Sequence, residues 1–284
     1  MRVLDLFSGM GGLSYGFQKA MYTLGIEAHM TLVDNWKYAL ESAKMNLHAV
    51  HAETLKMDLR NERPGGKYDV VIGGPPCRPW SALNHTKRGK LHGDYSLVRV
   101  FFETVHRIKP VAFVMENVPF LAGDPIFTRS LQKMLRSGYS VQYGFFRYSE
   151  FGATTRRKRL ITVGILNGKV DDVFKNLAAQ KEPPGTVRKA IWDLREKRNF
   201  PDHEWINPRT ISRYMDKYRT GKFGWYFLNW DSPAPSFGNI NKTYILHPDG
   251  NRVISVREAM RIMGFDDGYV FPESVPVTAK YQMI

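Results

Sequence analysis

The sequence predicts an α/β fold in which a mostly parallel sheet carries helices on both faces and a smaller irregular domain follows it. Three observations predict this fold. In the first half of the chain, apolar runs of strand length alternate with segments of helical period. Two more strand-like runs then flank a basic turn at residues 156–159, and beyond residue 166 the periodicity fades. Ligand sites in such a sheet belong at the carboxyl ends of the strands.

The predicted elements follow one another in a strand–helix rhythm. Strands are predicted over 3–7, 29–33, 69–73 and 111–115, and helices over 13–24, 38–47, 97–108 and 126–135. The runs 139–148 and 160–165 predict an antiparallel addition at the sheet edge. A helix returns over 256–263, where Ser255 can act as the cap and Glu258 completes a capping box.

Composition divides the chain into three segments. Residues 167–250 are rich in Pro, Gly, Asn, Trp and Lys/Arg, unlike the segments before and after them. We therefore expect a first domain over 1–166, a small irregular second domain over 167–250, and a return segment to the first domain over 251–284.

Charge and cysteine content narrow the function. The 41 Lys and Arg residues against 27 Asp and Glu give a formal charge of +14, which favours nucleic acid as a partner, with general solubility charge as the alternative. The single cysteine excludes an internal disulfide and a thiolate-rich zinc site. We expect no metal site. We also expect no membrane partner, because no apolar stretch has the roughly 18 residues of a bilayer span, and we expect a cytoplasmic location.

A glycine-rich turn, Asp5-Leu-Phe-Ser-Gly-Met-Gly-Gly12, follows the first predicted strand. Such a turn lets the backbone approach a nucleotide-like ligand. A dinucleotide fingerprint would need glycine where the chain has Ser14, which disfavours a nicotinamide oxidoreductase. Asp34 follows the next strand, where a carboxylate can accept hydrogen bonds from ribose hydroxyls, and Asp58 lies near the third strand. Each acid could equally be a helix cap or a solvated loop carboxylate.

Two reactive side chains follow neighbouring strands. Cys77 lies in Gly73-Gly-Pro-Pro-Cys-Arg-Pro-Trp-Ser81, between stiffening prolines and beside Arg78, whose charge favours a thiolate. A nucleophile is therefore favoured over a buried packing cysteine. Glu116 closes the strand 111–115 and is placed next to the neighbouring strand ends as a proton donor. Its alternative role is a helix cap, which Asn117 could also fill.

Five separated motifs carry a resemblance over nearly the whole chain: DLFSGMGGLSYGF, PPC, ENV, Arg157-Lys-Arg159 and VREAMRIMGF. In this order they resemble the DNA cytosine-5 methyltransferase family. The resemblance implies the Rossmann-like fold of class I S-adenosylmethionine-dependent methyltransferases, with residues 167–250 as the target-recognition domain. It also implies methyl transfer to carbon 5 of a flipped cytosine in a specific duplex DNA sequence, through a covalent Cys77–C6 adduct assisted by Glu116.

The resemblance also implies roles for individual residues. The catalytic group comprises Cys77, Glu116, Arg157 and Arg159. The residues expected to bind S-adenosylmethionine are Asp5, Phe7, Ser8, Gly9, Gly11, Gly12, Asp34, Asn35, Asp58, Leu59 and Pro76. The residues expected to contact double-stranded DNA are Ser81, Lys87, Arg88, Trp225 and Ser236, with 81–94 as the loop that closes over the site.

The sequence departs from the family pattern in three places. Arg78 and Thr155 stand where the family has glutamine, and the chain stops at Ile284, where the family's closing Gly-Asn-Ser/Ala-Val helix should begin. We therefore expect that a second polypeptide supplies this helix, or that the chain is a truncated form. The rival functions are a catalytically compromised DNA-binding homologue or subunit and a tRNA cytosine-5 methyltransferase. The setting expected for the enzyme is a prokaryote or phage with a restriction-modification system.

Overall fold

A seven-stranded sheet forms the framework of the chain, with strand order β3-β2-β1-β4-β5-β7-β6. The computed structural model describes residues 1–48, 50–81, 89–197, 199–206, 211–221, 225–242, 244–250 and 252–284. The strands are β1 Arg2–Leu6, β2 His29–Asp34, β3 His51–Lys56, β4 Val70–Gly73, β5 Ala112–Asn117, β6 Tyr139–Arg147 and β7 Lys158–Leu166. The α/β class predicted from the alternating pattern is confirmed.

The helices confirm the predicted rhythm and include four that were not predicted. They are α1 Gly12–Thr23, α2 Lys37–Asn46, α3 Leu97–Ile108, α4 Pro125–Arg136, α5 Asp171–Ala179, α6 Val187–Ile191, α7 Met215–Arg219, α8 Val256–Met263 and α9 Val277–Met283. The first four and α8 match predicted helices within one or two residues at their ends, whereas α5, α6, α7 and α9 were not predicted. None of the helices in the described ranges has the length and apolar character that a bilayer crossing requires.

Strand direction determines which residues share an edge. Strands β3, β2, β1, β4 and β5 pair in parallel, so their carboxyl ends lie along one edge of the sheet. β7 runs antiparallel to β5, as predicted for the late strand pair, and therefore begins at that same edge. The residues that start β7 consequently join those that end the parallel strands.

Two hydrophobic clusters cover the two sides of the sheet. Leu4 and Leu6 of β1 pack with α3 and α4 residues, whereas Val3 packs with residues of α1 and α2. Successive residues of a strand point to opposite faces, so the two clusters lie on opposite sides. Helices on both faces, as the sequence predicts, bury both faces of the parallel strands.

The chain divides into two compact units, residues 1–146 with 159–179, and residues 147–158 with 180–284. In the described part of the second unit, strand pairing outside β6 and β7 is limited to isolated bridges, such as Phe227–Leu246 and Thr155–Ala234. Short helices and 3-10 turns take the place of strands, because Pro and Gly recur too often for a continuous ladder. The division by role into catalytic, target-recognition and return segments stays a prediction.

The capping box predicted for α8 is present and belongs to a buried ionic network of the second unit. Glu258 is fully buried; its two carboxylate oxygens accept hydrogen bonds from Arg252 at 2.7 Å each, and one also accepts the backbone N–H of Ser255 at 2.7 Å. Burial opposes the charge, but the hydrogen bonds and charge of Arg252 still hold the pKa of Glu258 below its ordinary value.

In the first unit, β1 carries a buried acid on the strand that leads into the glycine turn. Asp5 is fully buried, and its Oδ2 accepts a hydrogen bond from the Ser14 hydroxyl of α1 at 2.6 Å. Burial raises the pKa of Asp5 to about 7, although the Ser14 hydrogen bond acts in the opposite direction. The contact joins β1 to α1 on either side of the turn.

Replacing Glu258 with glutamine should destabilise the second unit. The substitution keeps the shape of the side chain but leaves the Arg252 charge without its partner, which costs about 3 kcal/mol in a buried pair. Urea unfolding followed by tryptophan fluorescence measures the loss. The control Glu196→Gln, at an exposed position in the same unit, should change the free energy of unfolding by no more than about 0.5 kcal/mol. Equal stability of the two variants would contradict the importance of the network.

Asp5→Asn should change how stability depends on pH. An unfolded aspartate titrates near 3.9, so between about pH 4 and pH 7 the folded protein holds a proton that the unfolded chain has lost. The free energy of unfolding therefore falls as pH rises through this window. In urea titrations, the free energy of unfolding of Asp5→Asn should rise relative to that of wild type by roughly 2 kcal/mol between pH 5 and pH 7. Parallel curves for the two proteins would show that Asp5 is not the group responsible.

Candidate active site

Glu116 and Arg159 form an ion pair at the edge where the parallel strands end. β5 continues two residues beyond its predicted end, so Glu116 and Asn117 belong to the strand. In the antiparallel pair, Asn117 is the register partner of Leu160. Arg159, one residue earlier in β7, places its Nε 2.7 Å from Glu116 Oε1. A charge-assisted contact of this length fixes the direction of the carboxyl group.

The ion pair is shielded but not closed off. The side chain of Arg159 is 10% exposed and that of Glu116 is 20% exposed. The arginine is therefore held within the protein, while part of the carboxyl group stays within reach of an incoming molecule. This combination suits a group that must be fixed in direction before a substrate arrives.

The Pro-Pro-Cys loop is fastened to the same strand end. Asn117 Nδ2 donates a hydrogen bond to the carbonyl oxygen of Pro75 at 2.9 Å, within the buried interior. A Cβ added to Gly74 would lie 3.7 Å from Glu116 Oε2, so this glycine runs directly beside the carboxyl group. The loop that carries Cys77 therefore passes next to Glu116, as the alignment of the strand ends predicts.

Cys77 begins a tight turn at the end of this loop. Its carbonyl oxygen accepts a hydrogen bond from the backbone N–H of Trp80 at 3.0 Å, which closes the 3-10 turn Arg78–Trp80. Cys77 is half-buried and belongs to neither of the two hydrophobic clusters. This position favours a reactive cysteine over one packed in the apolar core, and its role as nucleophile stays a prediction.

Asp124 joins two segments that the sequence analysis did not connect. Its Oδ2 accepts a hydrogen bond from Trp80 Nε1 at 2.9 Å, and its Oδ1 accepts one from the Tyr95 hydroxyl at 2.6 Å. It also caps α4 by accepting the backbone N–H of Ile126. Although burial opposes its charge, these hydrogen bonds hold the pKa of Asp124 below its ordinary value.

These contacts show which residue caps α4, a role that the sequence also allowed for Glu116 and Asn117. Asp124, rather than Glu116 or Asn117, caps the helix that follows β5. Trp80 and Tyr95 flank residues 81–94, and their rings lie 5.5 Å apart. The two ends of this segment are therefore held together through one carboxylate. Burial and the hydrogen bond to Asp124 raise the pKa of Tyr95 to about 12, so it remains a donor at neutral pH.

The glycine turn after β1 has the backbone of a ligand-binding loop. Gly9 and Gly11 have φ angles of +54° and +81°, in the region that favours glycine. Phe7, which has a side chain, nevertheless has a φ of +58°. A non-glycine residue in this region costs free energy and persists where the surroundings impose it, which is common at binding sites.

Asp34 ties this turn to the end of β2. Its Oδ2 accepts a hydrogen bond from the backbone N–H of Gly9, and its Oδ1 accepts one from the backbone N–H of Trp36, both at 2.9 Å. The carboxylate is half-buried, as expected for an acid at the carboxyl edge. The turn and the acid are thereby held in one arrangement, which is a requirement for binding one ligand with both.

Two polar atoms test whether S-adenosylmethionine fits here. Asp5 Oδ1 and Ser8 Oγ are buried without a hydrogen-bond partner. Buried polar atoms nearly always have partners, so two orphans on the same turn indicate a polar ligand. A turn with glycines at positive φ, two unpartnered oxygens and a nearby strand-end acid fits a nucleoside with a charged tail.

Asp58 lies after β3 and belongs to a chain of charges. It accepts hydrogen bonds from the backbone N–H of Arg60 at 3.0 Å and from its guanidinium at 3.1 Å. These contacts, the backbone one first, lower the pKa of Asp58 below its ordinary value. Arg60 Nη2 also donates to Asp94 Oδ1 at 2.6 Å. Arg60 therefore links a predicted cofactor residue to the end of the segment 81–94.

The other residues predicted for the cofactor differ in exposure. Gly12 and Asn35 are exposed, Pro76 is half-buried, and Leu59 is 3% exposed within the cluster of α3 and α4. Their contacts with a cofactor stay predictions.

Arg157 lies in the second unit, two residues after Thr155, which stands where the family pattern has glutamine. Its backbone N–H donates to the hydroxyl of buried Thr155 at 3.2 Å, and its guanidinium donates to the Phe237 carbonyl at 3.4 Å. Its own carbonyl accepts the N–H of Tyr148 at 2.9 Å. Thr155 thus shapes the turn that presents Arg157. Its predicted catalytic role stays a prediction.

The residues predicted to contact DNA have diverse surroundings. Trp225 packs in an aromatic group, 4.7 Å from the Tyr214 ring and 5.5 Å from the Tyr218 ring. Ser236 is half-buried beside Phe237, and Ser81 ends the turn after Cys77. Lys87 and Arg88, predicted as phosphate contacts, lie outside the described residues.

Several of the residues that hold the segments around Cys77 and Glu116 in place were not predicted from the sequence. Asp124 before Pro125 is a recognisable helix-cap pattern. Its contacts with Trp80 and Tyr95, which lie 44 and 29 residues away in the chain, leave no local signal. The same is true of Arg60, whose partner Asp94 is 34 residues away.

Comparisons with known proteins agree on one family. The model of the C-5 cytosine-specific DNA methylase family matches residues 1–284. Type II methyltransferase M.MthTI of Methanothermobacter thermautotrophicus is 30% identical over 95% of this chain and 88% of its own length. Type II methyltransferase M.HindV of Haemophilus influenzae is 29% identical over 85% of this chain and 74% of its own.

Solved structures show the same fold. The Dnmt2 methyltransferase of S. pombe superposes with a TM-score of 0.71 at 18% identity, covering 100% of this chain and 92% of that one. DNMT2 of Spodoptera frugiperda superposes with a TM-score of 0.73 at 14% identity, covering 99% of this chain and 94% of that one. The fold is the Rossmann-like fold of S-adenosylmethionine-dependent methyltransferases. The protein is an enzyme of DNA methylation, and the chain belongs to the C-5 cytosine-specific DNA methylase family.

Proposed function

We propose that this protein transfers a methyl group from S-adenosylmethionine to carbon 5 of a cytosine flipped out of a specific duplex DNA sequence, through a covalent adduct on Cys77. The observation that carries the proposal is the Glu116–Arg159 ion pair beside the loop that bears Cys77. We further propose that it acts as the DNA-associated modification enzyme of a restriction-modification system, since several relatives are named type II methyltransferases.

Cys77 supplies the nucleophile in this proposal. Carbon 5 of cytosine is a weak nucleophile, so the Cys77 thiolate first forms a bond from Sγ to carbon 6. This addition leaves carbon 5 electron-rich. After methylation, loss of the carbon-5 proton and breakage of the Sγ–C6 bond restore the aromatic ring and the thiolate. The prolines before and after Cys77 limit its loop to few conformations, which keeps the sulfur in one position.

Glu116 assists the addition. A carboxyl group that hydrogen-bonds or protonates the ring nitrogen withdraws electrons from carbon 6 and makes it easier to attack. The 2.7 Å contact with Arg159 orients the carboxyl group before cytosine binds. Positioned groups of this kind contribute about 10²–10⁴-fold to a rate. Arg159 is also close enough to the strand end to contact the base itself.

The glycine turn holds the cofactor in this proposal. S-adenosylmethionine supplies an electrophilic methyl group when it is bound. Asp34 would accept hydrogen bonds from its ribose, and the unpartnered oxygens of Asp5 and Ser8 would bind its polar groups. Phe7 would pack against the adenine, and Asp58 would bind near the adenine amino group. The parallel strand ends thereby bring the cofactor turn and the Cys77 loop to one edge.

A mechanism-based trap tests the nucleophile and the substrate together. Duplex DNA containing 5-fluorocytosine is incubated with the protein and labelled S-adenosylmethionine, and the products are run on a denaturing gel. The fluorine cannot leave as a proton does, so we expect a labelled covalent protein–DNA adduct. Cys77→Ser should abolish the adduct and retain the fold by circular dichroism.

The same gel separates the rival functions. A tRNA substrate with 5-fluorocytosine should give no adduct if duplex DNA is the substrate. An adduct with tRNA alone would favour the tRNA methyltransferase. No adduct with either substrate, at saturating cofactor, would favour the catalytically compromised homologue. An adduct that persists in Cys77→Ser would contradict the proposed nucleophile.

Replacing Arg159 should slow methyl transfer without unfolding the protein. Arg159→Gln removes the charge that orients Glu116, and we expect the single-turnover rate to fall by about 10²-fold. Arg159→Lys keeps the charge but loses the planar donor group, so an intermediate loss is expected. Filter-binding with labelled S-adenosylmethionine measures the rates. Arg136→Gln, on the exposed end of α4, is the control and should retain the wild-type rate. Equal rates in all four proteins would exclude the positioning role.

A further inference from the structure

A cluster of two histidines and a glutamate lies at the edge of the sheet opposite to the Cys77 loop. His29 is the first residue of β2, His51 is the first residue of β3, and Glu27 precedes β2 by two positions. His29 and His51 are register partners in this parallel pair. Register partners project from the same face of a sheet, so the two imidazole rings lie side by side.

The distances within the cluster match those in a metal coordination sphere. Glu27 Oε1 lies 3.7 Å from His29 Nε2 and 3.5 Å from His51 Nε2. One possible ligand atom from each residue can be chosen so that all three lie within 4.8 Å of one another. Ligand atoms bound to one tetrahedral zinc ion at about 2.0–2.1 Å are about 3.4 Å apart. Small rotations of exposed side chains therefore suffice to bring the three atoms onto one ion.

Ordinary ion pairing explains this arrangement less well. The imidazole rings are stacked, with centroids 4.7 Å apart and planes 15° from parallel. Two protonated imidazoles at this distance repel each other, and one carboxylate carries a single compensating charge. A divalent cation can accept a lone pair from each neutral imidazole and the charge of the carboxylate at once.

The backbone around the cluster is fixed before any ion binds. The N–H of His29 donates to the Met1 carbonyl at 2.8 Å, and the N–H of His51 donates to the Ala28 carbonyl at 3.1 Å. The backbone of both histidines is therefore already fixed in the sheet, so binding an ion costs only conformational entropy of the side chains.

We propose that Glu27, His29 and His51 form a surface site for a divalent transition-metal ion of the zinc class, which ties β3 to β2. Two imidazole nitrogens and one carboxylate oxygen suit zinc, nickel or copper better than magnesium or calcium, which prefer oxygen ligands only. All three side chains are exposed, so water can complete the coordination. No metal site was predicted from the sequence, in which the two histidines are 22 residues apart; the strand register brings them together.

This site is separate from methyl transfer. β2 has six residues, so His29 and Asp34 at its two ends are about 17 Å apart. The role of the ion is therefore to stabilise β3, which is the last strand on its side of the sheet and pairs with β2. An ion that binds only the folded chain raises its melting temperature.

Zinc titration of the full-length protein without a histidine tag tests the proposal. After treatment with a chelator and its removal, calorimetry with Zn²⁺ should show one ion bound per chain. His29→Gln and His51→Gln should each weaken binding at least about tenfold, and Glu27→Gln should weaken it as well. His48→Gln, at an exposed histidine three residues before His51, is the matched control and should bind as wild type does.

The melting temperature gives a second readout. Zn²⁺ should raise it in wild type and in His48→Gln, and not in His51→Gln, while methyl transfer stays unchanged in all three. Absence of zinc binding by wild type would overturn the proposal. Binding that survives in His51→Gln with wild-type affinity would also overturn it, because the ion would then be held elsewhere.

Discussion

The antiparallel pairing of β7 with β5 is the constraint on which the site depends. A strand added in parallel would begin at the far edge of the sheet, and its first residues would be remote from the ends of β4 and β5. Because β7 runs the other way, Arg159 at its start meets Glu116 at the end of β5, at 2.7 Å. The Cys77 loop follows β4, the strand on the other side of β5. One change of strand direction thus gathers the proposed nucleophile, a carboxyl group and a cation at the edge where the glycine turn after β1 also lies.

Much of the fold was predictable because its signals are local. The alternation of strand-length apolar runs with helical periods identified most elements of the sheet, and Ser255 with Glu258 identified the cap of α8. β3 and the short helices of the second unit were harder to predict from the sequence. The residues of β3 are all exposed or half-buried, and its sequence, HAETLK, lacks the apolar run of a buried strand. In residues 180–250, tertiary contacts such as the Thr155–Ala234 bridge, rather than periodicity, decide the local structure.

The sequence predicts candidates for the reacting groups of the site, but it does not predict several of the residues that hold them in place. Cys77, Glu116 and the arginine pair occur in short motifs whose residue types follow from the chemistry. Asp124 and Arg60 act through partners 29 to 44 residues away, and no spacing rule links such residues before the strands are assembled. The family resemblance supplied roles for Asp5 and Asp34, while the structure added a physical reason: unpartnered oxygens and a strained turn.

The claim that Glu116 and Cys77 act together on carbon 5 is tested most directly by following the proton at that carbon. Duplex DNA labelled with tritium at carbon 5 of cytosine is given to the wild-type protein and to Glu116→Gln. The account predicts that wild type releases tritium into water in step with methyl transfer, and that Glu116→Gln releases it about 10²-fold or more slowly while still binding DNA. Release at the wild-type rate by Glu116→Gln, or methyl transfer by wild type with no tritium release, would contradict it.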